Sequence, residues 1–213
     1  MRWGRKPKKI FVIGRNKTGT TSMAQALVTL GFHVGDQATA ELLIEDWSRR
    51  DFRALIRYCA TADAFQDVPF SLDYTYQALD AAFPGSKFIL TVRNSSQEWY
   101  ESWTRFITQL VGLNHLPSAD ELKLFTYRDR EPGWLWRSDQ MVLNVDESTL
   151  YNREVYTRHY EAHNQRVCDY FRYRPESLLV LNLAAPDAMQ ALCRFLDVKP
   201  VDWAMPHLNR SKP

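Results

Sequence analysis

KIFVIGRNKTGTTSMAQALVTL, residues 9–30, is the stretch from which the architecture of this chain can be read. It opens with the apolar run IFVI, residues 10–13, whose β-branched and aromatic side chains are typical of a strand buried on both faces. A polar turn bracketed by Gly14 and Gly19 follows, and apolar residues then recur at helical spacing up to a stop at Gly31. The sequence therefore predicts a strand, a glycine-bracketed loop and a helix in direct succession.

A loop of this kind at the start of a helix is suited to binding an anion. The unpaired N–H groups of the first helical turn and the positive end of the helix dipole act at the same place. Lys17 adds a full charge, and four hydroxyl groups surround Gly19: those of Thr18, Thr20, Thr21 and Ser22. An ordinary threonine-rich turn is the alternative. A lysine, a glycine and four hydroxyl groups at one helix start favour a phosphate-binding loop.

The order of residues in this loop differs from that of two common phosphate-binding loops. Nucleotide triphosphatases have G-x-x-x-x-G-K-[ST], in which a lysine directly follows the second glycine. Here Thr20 stands at that position, and the lysine lies inside the loop at Lys17. The dinucleotide-binding pattern G-x-G-x-x-G is also missing from this stretch. The loop therefore belongs to neither class.

The segment GRNKTGTTS, residues 14–22, resembles the 5′-phosphosulfate-binding loop of the sulfotransferases, where Lys-[Ser/Thr]-Gly-Thr-Thr opens the first helix. This resemblance implies a P-loop-like fold and transfer of a sulfuryl group from 3′-phosphoadenosine 5′-phosphosulfate (PAPS) to a hydroxyl or amine. Lys17 is implied as a catalytic residue that neutralises charge on the leaving phosphate. The resemblance implies that these residues bind the cofactor: Arg15, Asn16, Lys17, Thr18, Gly19, Thr20, Thr21 and Ser22.

A second motif of the same family follows the apolar run at residues 87–92. Arg93 ends this predicted strand, where open α/β sheets bind ligands. In sulfotransferases an arginine at this place and a serine on the next helix hold the 3′-phosphate. The family's usual spacing lands on Glu101, and a carboxylate cannot hold a phosphate. Ser102 lies one residue further, in a Trp-Tyr-x-Ser run that matches the family, so Arg93 and Ser102 are implied as cofactor-binding residues.

Asp67 is the candidate general base. It follows a predicted strand at residues 62–66, where some cytosolic sulfotransferases carry the catalytic histidine of a His-Leu-Pro motif. An acceptor hydroxyl must lose its proton during transfer, which requires a carboxylate or imidazole within hydrogen-bond reach. An equally weighted alternative is that Asp67 only starts a turn, a common use of aspartate near proline. Asp36 is the reserve candidate, followed by His33.

The rest of the chain predicts further strands that alternate with helices. Five runs predict strands: residues 10–13, 32–34, 62–66, 87–92 and 178–183. This alternation predicts a three-layer α/β fold with a parallel sheet of about five strands flanked by helices. The length of 213 residues favours a single domain over residues 1–213.

Two later segments carry further hypotheses. Residues 112–147 lose periodicity and gain proline and aromatic residues, which indicates a long irregular lid or acceptor-binding insertion. Residues 148–172 predict one long helix. His159 and His163 on this helix do not follow the zinc-protease order His-Glu-x-x-His, and we assign them to its solvated face. The tail at residues 206–211 resembles the Pro-His-x-Asn ending of several bacterial sulfotransferases.

Composition limits the possible classes of protein. Apolar residues make up 45% of the chain and charged residues 24%, as in ordinary globular proteins. The net charge of +2 argues against a general nucleic-acid binder. The apolar run at residues 10–13 is too short for a signal core or a membrane span. Three widely spaced cysteines suggest neither a disulfide framework nor a zinc site, so we expect a reduced, cytoplasmic protein.

The expected activity is therefore sulfuryl transfer from PAPS, with no metal, to an unidentified small-molecule or glycan acceptor. No magnesium ligand set is visible in the sequence, and a sulfuryl group carries less charge than a phosphoryl group. Two alternatives stay open. One is a nucleotide kinase or triphosphatase, which would require magnesium. The other is a non-catalytic nucleotide-binding relative that has kept the fold.

Overall fold

A computed structural model describes residues 9–206 and shows strands that alternate with helices. Its elements in chain order are β1 (Ile10–Val12), α1 (Thr20–Thr29), α2 (Gln37–Glu41), α3 (Ile44–Ser48), α4 (Arg53–Tyr58), β2 (Ala64–Gln66), α5 (Thr75–Ala82), β3 (Lys87–Val92), α6 (Ser96–Val111), α7 (Ala119–Leu124), α8 (Trp134–Leu143), α9 (Arg153–Tyr170), β4 (Leu178–Asn182) and α10 (Ala188–Leu196). The predicted strand, loop and helix at the beginning of the chain are confirmed as β1, the loop at residues 13–19, and α1.

The sheet is parallel throughout. Its four strands follow the order β2-β1-β3-β4 within the described residues. β1 pairs with β2 on one side and with β3 on the other, and β3 pairs with β4. The parallel sheet flanked by helices confirms the predicted α/β fold class. It also places the carboxyl ends of β1, β2 and β3 at one edge, where ligands bind in open α/β sheets.

The predicted strand at residues 32–34 was wrong, so the sheet has one strand fewer than expected. Val34 makes only an isolated parallel bridge to Ala64. The chain leaves α1 through Gly31, at φ 87°, and the side chain of Asp36 already caps the beginning of α2. The segment therefore pairs with β2 at this one position before the chain turns into α2.

The described chain consists of two compact units. Residues 9–94 and 163–206 form the first unit, and residues 95–162 form the second. The first unit contains the whole sheet, and α9 contributes residues to both units. The single domain expected over residues 1–213 stays a prediction.

The first unit has a hydrophobic core on each face of its sheet. Successive side chains of a strand point to opposite faces. Ile10 and Val12 therefore pack with α1 and α10, whereas Phe11 and Ile13 pack with α4, α5 and the end of α9. All four side chains are fully buried. Burial on both faces explains why the sequence of β1 is a continuous apolar run, and it gives the predicted three layers.

The second unit is helical and has an aromatic core. Trp99 and Trp103 on α6 pack with Tyr156 and Tyr160 on α9. The rings of Trp99 and Tyr160 are stacked with 4.8 Å between their centroids. The tryptophan side chains of α6 therefore belong to the core of this unit.

The expectation of an irregular segment at residues 112–147 was wrong, because α7 and α8 lie within it. Ser118 and Glu121 form a reciprocal capping box at the beginning of α7. Gly133, with a φ of 77°, is the N-cap residue of α8. α7 has six residues, too few for a clear hydrophobic period in the sequence. A lid or acceptor-binding role for the segment stays a prediction.

Between residues 9 and 206, no helix is both long and apolar enough to cross a membrane.

Candidate active site

The loop between β1 and α1 ends at a helix terminus open to an anion. The N–H of Met23 donates to the carbonyl of Gly19 at 2.9 Å, at the beginning of α1. The first turn of a helix generally directs its N–H groups along the helix axis, where an anion can accept from them. The first turn of α1 contains no acidic residue that would compete with a bound anion. The amino-terminal end of this helix is consequently suited to hold a phosphate.

Both glycines of the loop are required by the local structure. A Cβ atom added to Gly14 would lie 2.1 Å from the hydroxyl oxygen of Thr91 on β3, so only glycine allows this close approach. Gly19 has a φ of 99°, and an added Cβ would lie 2.7 Å from the side chain of Leu183. Glycine alone adopts such a conformation readily. The spacing recognised in the sequence thus has a steric cause at each end.

Several predicted cofactor-binding side chains are engaged inside the protein. The hydroxyl of Thr18 donates to the carbonyl of Arg15 at 2.5 Å and lies 2.6 Å from that of Thr91. Arg15 is only 2% exposed, and its guanidinium donates to the carbonyl of Ser71 and to Asp73. These residues shape the loop through their side chains, and the N–H of Thr18 also donates to the carbonyl of Arg15, at 3.2 Å.

The other loop residues differ in exposure. Thr20 and Ser22 are buried, whereas Thr21 is exposed. Asn16 and Lys17 are partly exposed. Lys17 adopts a left-handed conformation with φ 68°. The loop therefore presents Asn16, Lys17 and Thr21 to solvent, and these are the side chains that a ligand can reach.

Asp67 lies beside this loop, as predicted from its position after β2. Its Oδ2 accepts a hydrogen bond from the hydroxyl of Thr20 at 2.9 Å, and its Oδ1 accepts one from the N–H of Val68. Burial raises the pKa of Asp67, while these hydrogen bonds and the charge of Lys17 lower it in part. Burial lowers the pKa of Lys17, and the positive charge of Arg93 lowers it too, whereas the negative charge of Asp67 raises it in part. Lys17 and Asp67 therefore form one electrostatic unit.

The two reserve candidates for the base lie elsewhere. The carboxylate of Asp36 accepts hydrogen bonds from the N–H and hydroxyl of Thr39, which is its role as the cap of α2. His33 is exposed, and its N–H donates to Asp63. Asp67 is the candidate whose carboxylate accepts a hydrogen bond from Thr20, the residue directly after Gly19.

Arg93 also contacts the loop. It follows β3 directly, and its Nε donates to the carbonyl of Lys17 at 2.7 Å. The arginine of the second sequence motif therefore meets the lysine of the first. Ser102 lies on α6 in the second unit, where it is buried. Its role toward a 3′-phosphate stays a prediction.

The sequence also matches a known family. A family model described as a sulfotransferase domain covers residues 9–213. The chain belongs to the sulfotransferase family. A search of the curated proteins finds no match for it. Membership makes this protein a transferase of sulfuryl groups, and members of the family act on small-molecule or glycan acceptors.

A polar cluster next to the loop of this sulfotransferase, around the partly buried Asp73, was not predicted from the sequence. Asp73 accepts hydrogen bonds from Arg15 and Arg166, and His163 lies 2.9 Å from it. The assignment of His163 to a solvated face was wrong, because its side chain is fully buried. The signal was present in the sequence, since Tyr160 and Val167 place His163 on the apolar stripe of α9.

Within the described part of the chain, no group of three or more His, Cys, Asp or Glu residues is arranged to hold a metal ion. The tail predicted to resemble Pro-His-x-Asn lies outside the described residues, apart from Pro206.

Proposed function

We propose that this sulfotransferase uses PAPS as its donor and transfers the sulfuryl group to a hydroxyl or amine. The observation that supports this most strongly is the convergence of Lys17, Asp67 and Arg93 on one phosphate-binding loop. When bound, PAPS supplies an activated sulfuryl group and departs as adenosine 3′,5′-bisphosphate. The residues of this chain would bind it, neutralise charge and accept a proton.

The loop fits the 5′-phosphate of this cofactor. α1 begins directly after the loop, and the beginning of a helix favours a phosphate through its N–H groups and the positive end of its dipole. Gly14 allows the backbone to lie close to β3, and Gly19 adopts a left-handed conformation. Together they would let the loop curve around an anion. Arg15 Nε is buried and has no hydrogen-bond partner among residues 9–206, which is a further donor at the base of the loop.

Lys17 has the catalytic task of stabilising negative charge. Charge builds on the oxygen that links the phosphate to the departing sulfuryl group, and a fixed cation stabilises it most in a site of low dielectric. Lys17 is partly buried, and Arg93 holds its backbone carbonyl. Its backbone is thus positioned before any ligand binds, which reduces the cost of reorganisation during transfer.

Asp67 would accept the proton of the acceptor. Its Oδ2 accepts from Thr20 and its Oδ1 from Val68, so the carboxylate is oriented by two donors. The pKa of Asp67 is raised, chiefly by burial, and a raised pKa makes the carboxylate a stronger base. The acceptor itself would be a small molecule or a glycan, with residues 112–147 as the proposed lid or acceptor-binding segment.

Arg93 and Ser102 are proposed to bind the 3′-phosphate of the cofactor. Arg93 stands at the carboxyl end of β3, next to the loop. A guanidinium forms strong, charge-assisted hydrogen bonds to phosphate. We further propose that the protein works in the reducing cytoplasm, which its three free thiols support.

The experiment that tests the cofactor is a thermal-shift titration with adenosine 3′,5′-bisphosphate and with ATP. We expect the bisphosphate to raise the melting temperature and to compete successfully against ATP, because the loop carries its lysine at Lys17 and not after Gly19. EDTA should leave both results unchanged. A preference for ATP that disappears with EDTA would contradict the proposal.

One observation favours the rival function of a magnesium-dependent nucleotide kinase or triphosphatase. Thr20 follows the second glycine of the loop, and its hydroxyl is hydrogen-bonded to Asp67 beyond the neighbouring strand. In P-loop triphosphatases a loop Ser or Thr and an aspartate hold the magnesium ion together. The EDTA arm of the titration separates the two functions, since only the rival requires the metal.

A further inference from the structure

The carboxylate of Asp73, whose side chain is 19% exposed, links the phosphate-binding loop to α9. Its Oδ1 accepts from Nη2 of Arg15 at 2.9 Å and lies 2.9 Å from Nδ1 of His163. Its Oδ2 accepts from Nη2 of Arg166 at 2.6 Å. Arg15 belongs to the loop, whereas His163 and Arg166 lie one turn apart on α9, in the part assigned to the first unit. One carboxylate therefore connects a loop residue to two helix residues.

His163 makes a second connection to the loop. Its Nε2 lies 2.9 Å from the carbonyl oxygen of Ile13, the residue directly before Gly14. The imidazole is fully buried, so water does not compete for either contact. The ring thus contacts the backbone where the loop begins, and it reaches Arg15 through Asp73. Both contacts flank Gly14, the glycine that packs against β3.

Both atoms that face the ring are acceptors. A carboxylate and a carbonyl oxygen can only accept, so each contact is a hydrogen bond only when the ring nitrogen carries a proton. A neutral ring donates to one of them, and an imidazolium donates to both. Phenylalanine has a ring of similar shape and can make neither contact. Glutamine has an amide group that can donate to either oxygen.

We propose that His163 is a positioning residue for the phosphate-binding loop. It holds the carbonyl of Ile13 and, through Asp73, the guanidinium of Arg15, and so it fixes the direction in which the loop leaves β1. It touches no reacting atom. The assignment of a phosphate to this loop rests on the proposed function, but the anchoring of the loop can be measured without any ligand.

The test compares amide hydrogen exchange in three variants of the full chain. His163→Phe removes both contacts, His163→Gln restores one donor, and Val167→Ala is the matched control. Val167 is also fully buried, four residues later on α9, but lies in an apolar cluster. We expect exchange at residues 14–19 to accelerate by about tenfold or more in His163→Phe, and less in His163→Gln. In Val167→Ala the loop should keep its protection.

A second readout is the affinity for adenosine 3′,5′-bisphosphate. It should fall in the order wild type, His163→Gln, His163→Phe, with Val167→Ala close to wild type. Equal loop exchange in wild type and His163→Phe, or the same acceleration in Val167→Ala, would overturn the inference. If His163→Phe does not fold, the comparison of His163→Gln with Val167→Ala tests the inference. A wild-type protein that binds no bisphosphate would contradict the proposed function, while the exchange result would still test the anchoring.

Discussion

At the scale of single residues, the candidate site depends on two opposite charges, Lys17 in the loop before α1 and Asp67 directly after β2. Lys17 and Asp67 both adopt left-handed backbone conformations, with φ of 68° and 61°. Burial favours the neutral form of each side chain, and the charge of each favours the ionised form of the other. Backbone strain of this kind occurs mostly where function requires a fixed geometry. The pair can therefore supply a base and a cation within one site.

The first prediction at this scale concerns Asp67→Asn. The substitution keeps the size of the side chain and an acceptor for Thr20, but it removes the basic oxygen. We expect turnover to fall by about 10²–10⁴, the usual contribution of a general base, with the affinity for adenosine 3′,5′-bisphosphate unchanged. In the wild type, activity should rise with pH through the pKa of Asp67, which burial raises above 3.8, because only the ionised carboxylate accepts a proton.

The measurement is the transfer rate with a working acceptor, together with a nucleotide titration on the same variant. Asp36→Asn is the matched control, because Asp36 caps α2 and should leave turnover near that of the wild type. Full turnover in Asp67→Asn would remove Asp67 from the mechanism. Loss of nucleotide binding as well would show that Asp67 acts structurally through Thr20.

The second prediction concerns Arg93→Ala. Losing a charge-assisted contact to a 3′-phosphate should weaken bisphosphate binding by more than about tenfold. Arg93 also holds the carbonyl of Lys17, so adenosine 5′-phosphate, which lacks the 3′-phosphate, should bind somewhat more weakly too. Calorimetric titration of both ligands measures the difference. Equal losses for the two ligands would mean that Arg93 serves only the loop.

At the scale of elements, α8 carries a buried carboxyl group that is poorly compensated. Asp139 is buried, and its Oδ2 has no hydrogen-bond partner in the part of the chain that the structure describes. Burial raises the pKa of Asp139 from 3.8 to about 7. The pKa values of Tyr151 and Tyr156 are also raised, first by burial and then by the charge of Asp139. Ionised Asp139 therefore destabilises the helical second unit.

The third prediction is that Asp139→Asn stabilises the protein at alkaline pH. A carboxyl group whose pKa is raised on folding binds more protons in the folded state, so wild-type stability falls as pH rises from about 4 to about 7. The shift corresponds to roughly 4 kcal/mol when complete. The asparagine variant lacks this loss and should be more stable than wild type at about pH 8, with little difference at about pH 4.

Urea unfolding followed by tryptophan fluorescence measures this difference. Asp120→Asn is the control, since the side chain of Asp120 on α7 is 86% exposed and its replacement should not alter the pH dependence. A variant whose stability keeps the same pH dependence as the wild type would contradict the assignment of a raised pKa to Asp139.

At the scale of the whole molecule, His163 changes the stability with pH in the opposite direction to Asp139. Burial and then the charge of Arg15 lower the pKa of His163 from 6.5 to about 4, although its contacts with Asp73 and Ile13 oppose this. Arg166 adds a further positive charge to the same cluster. The unfolded chain therefore binds more protons at His163 than the folded protein between these two pH values, and stability is lost as pH falls through that range.

The fourth prediction is that His163→Gln weakens this acid sensitivity. The variant should be less stable than wild type at neutral pH, but its stability should fall less steeply between about pH 6.5 and about pH 4. Burial would raise the pKa of Asp73, but its contacts with His163, Arg15 and Arg166 lower the pKa by more than burial raises it. Asp73 therefore titrates below this pH range. Unfolding curves at several pH values measure the two slopes. Parallel slopes would place the pKa of His163 near its ordinary value.

The sequence by itself determined the parallel α/β fold and the glycine-bracketed loop between β1 and α1. These features follow from local rules: the double burial of β1 requires an apolar run, and the close approach of Gly14 to Thr91 and the φ of Gly19 require glycine. Arg93 could be recognised because it directly follows a buried strand. Signals of this kind are contained in a few neighbouring residues, so they can be read without the rest of the fold.

Only the tertiary structure decided which distant side chains meet. The sequence predicted a base at Asp67, but its hydrogen bond to Thr20 joins residues 47 positions apart. The contact between His163 and Ile13 spans 150 positions. The apolar stripe of α9 could place His163 on the buried face, but no local pattern shows which carbonyl oxygen it faces there. Short elements were decided in the same way, since α7 is too short for a period and residues 32–34 lie between two helices. Long-range packing, not local preference, determines such contacts, because their energy is gained only when the separate segments are already in place.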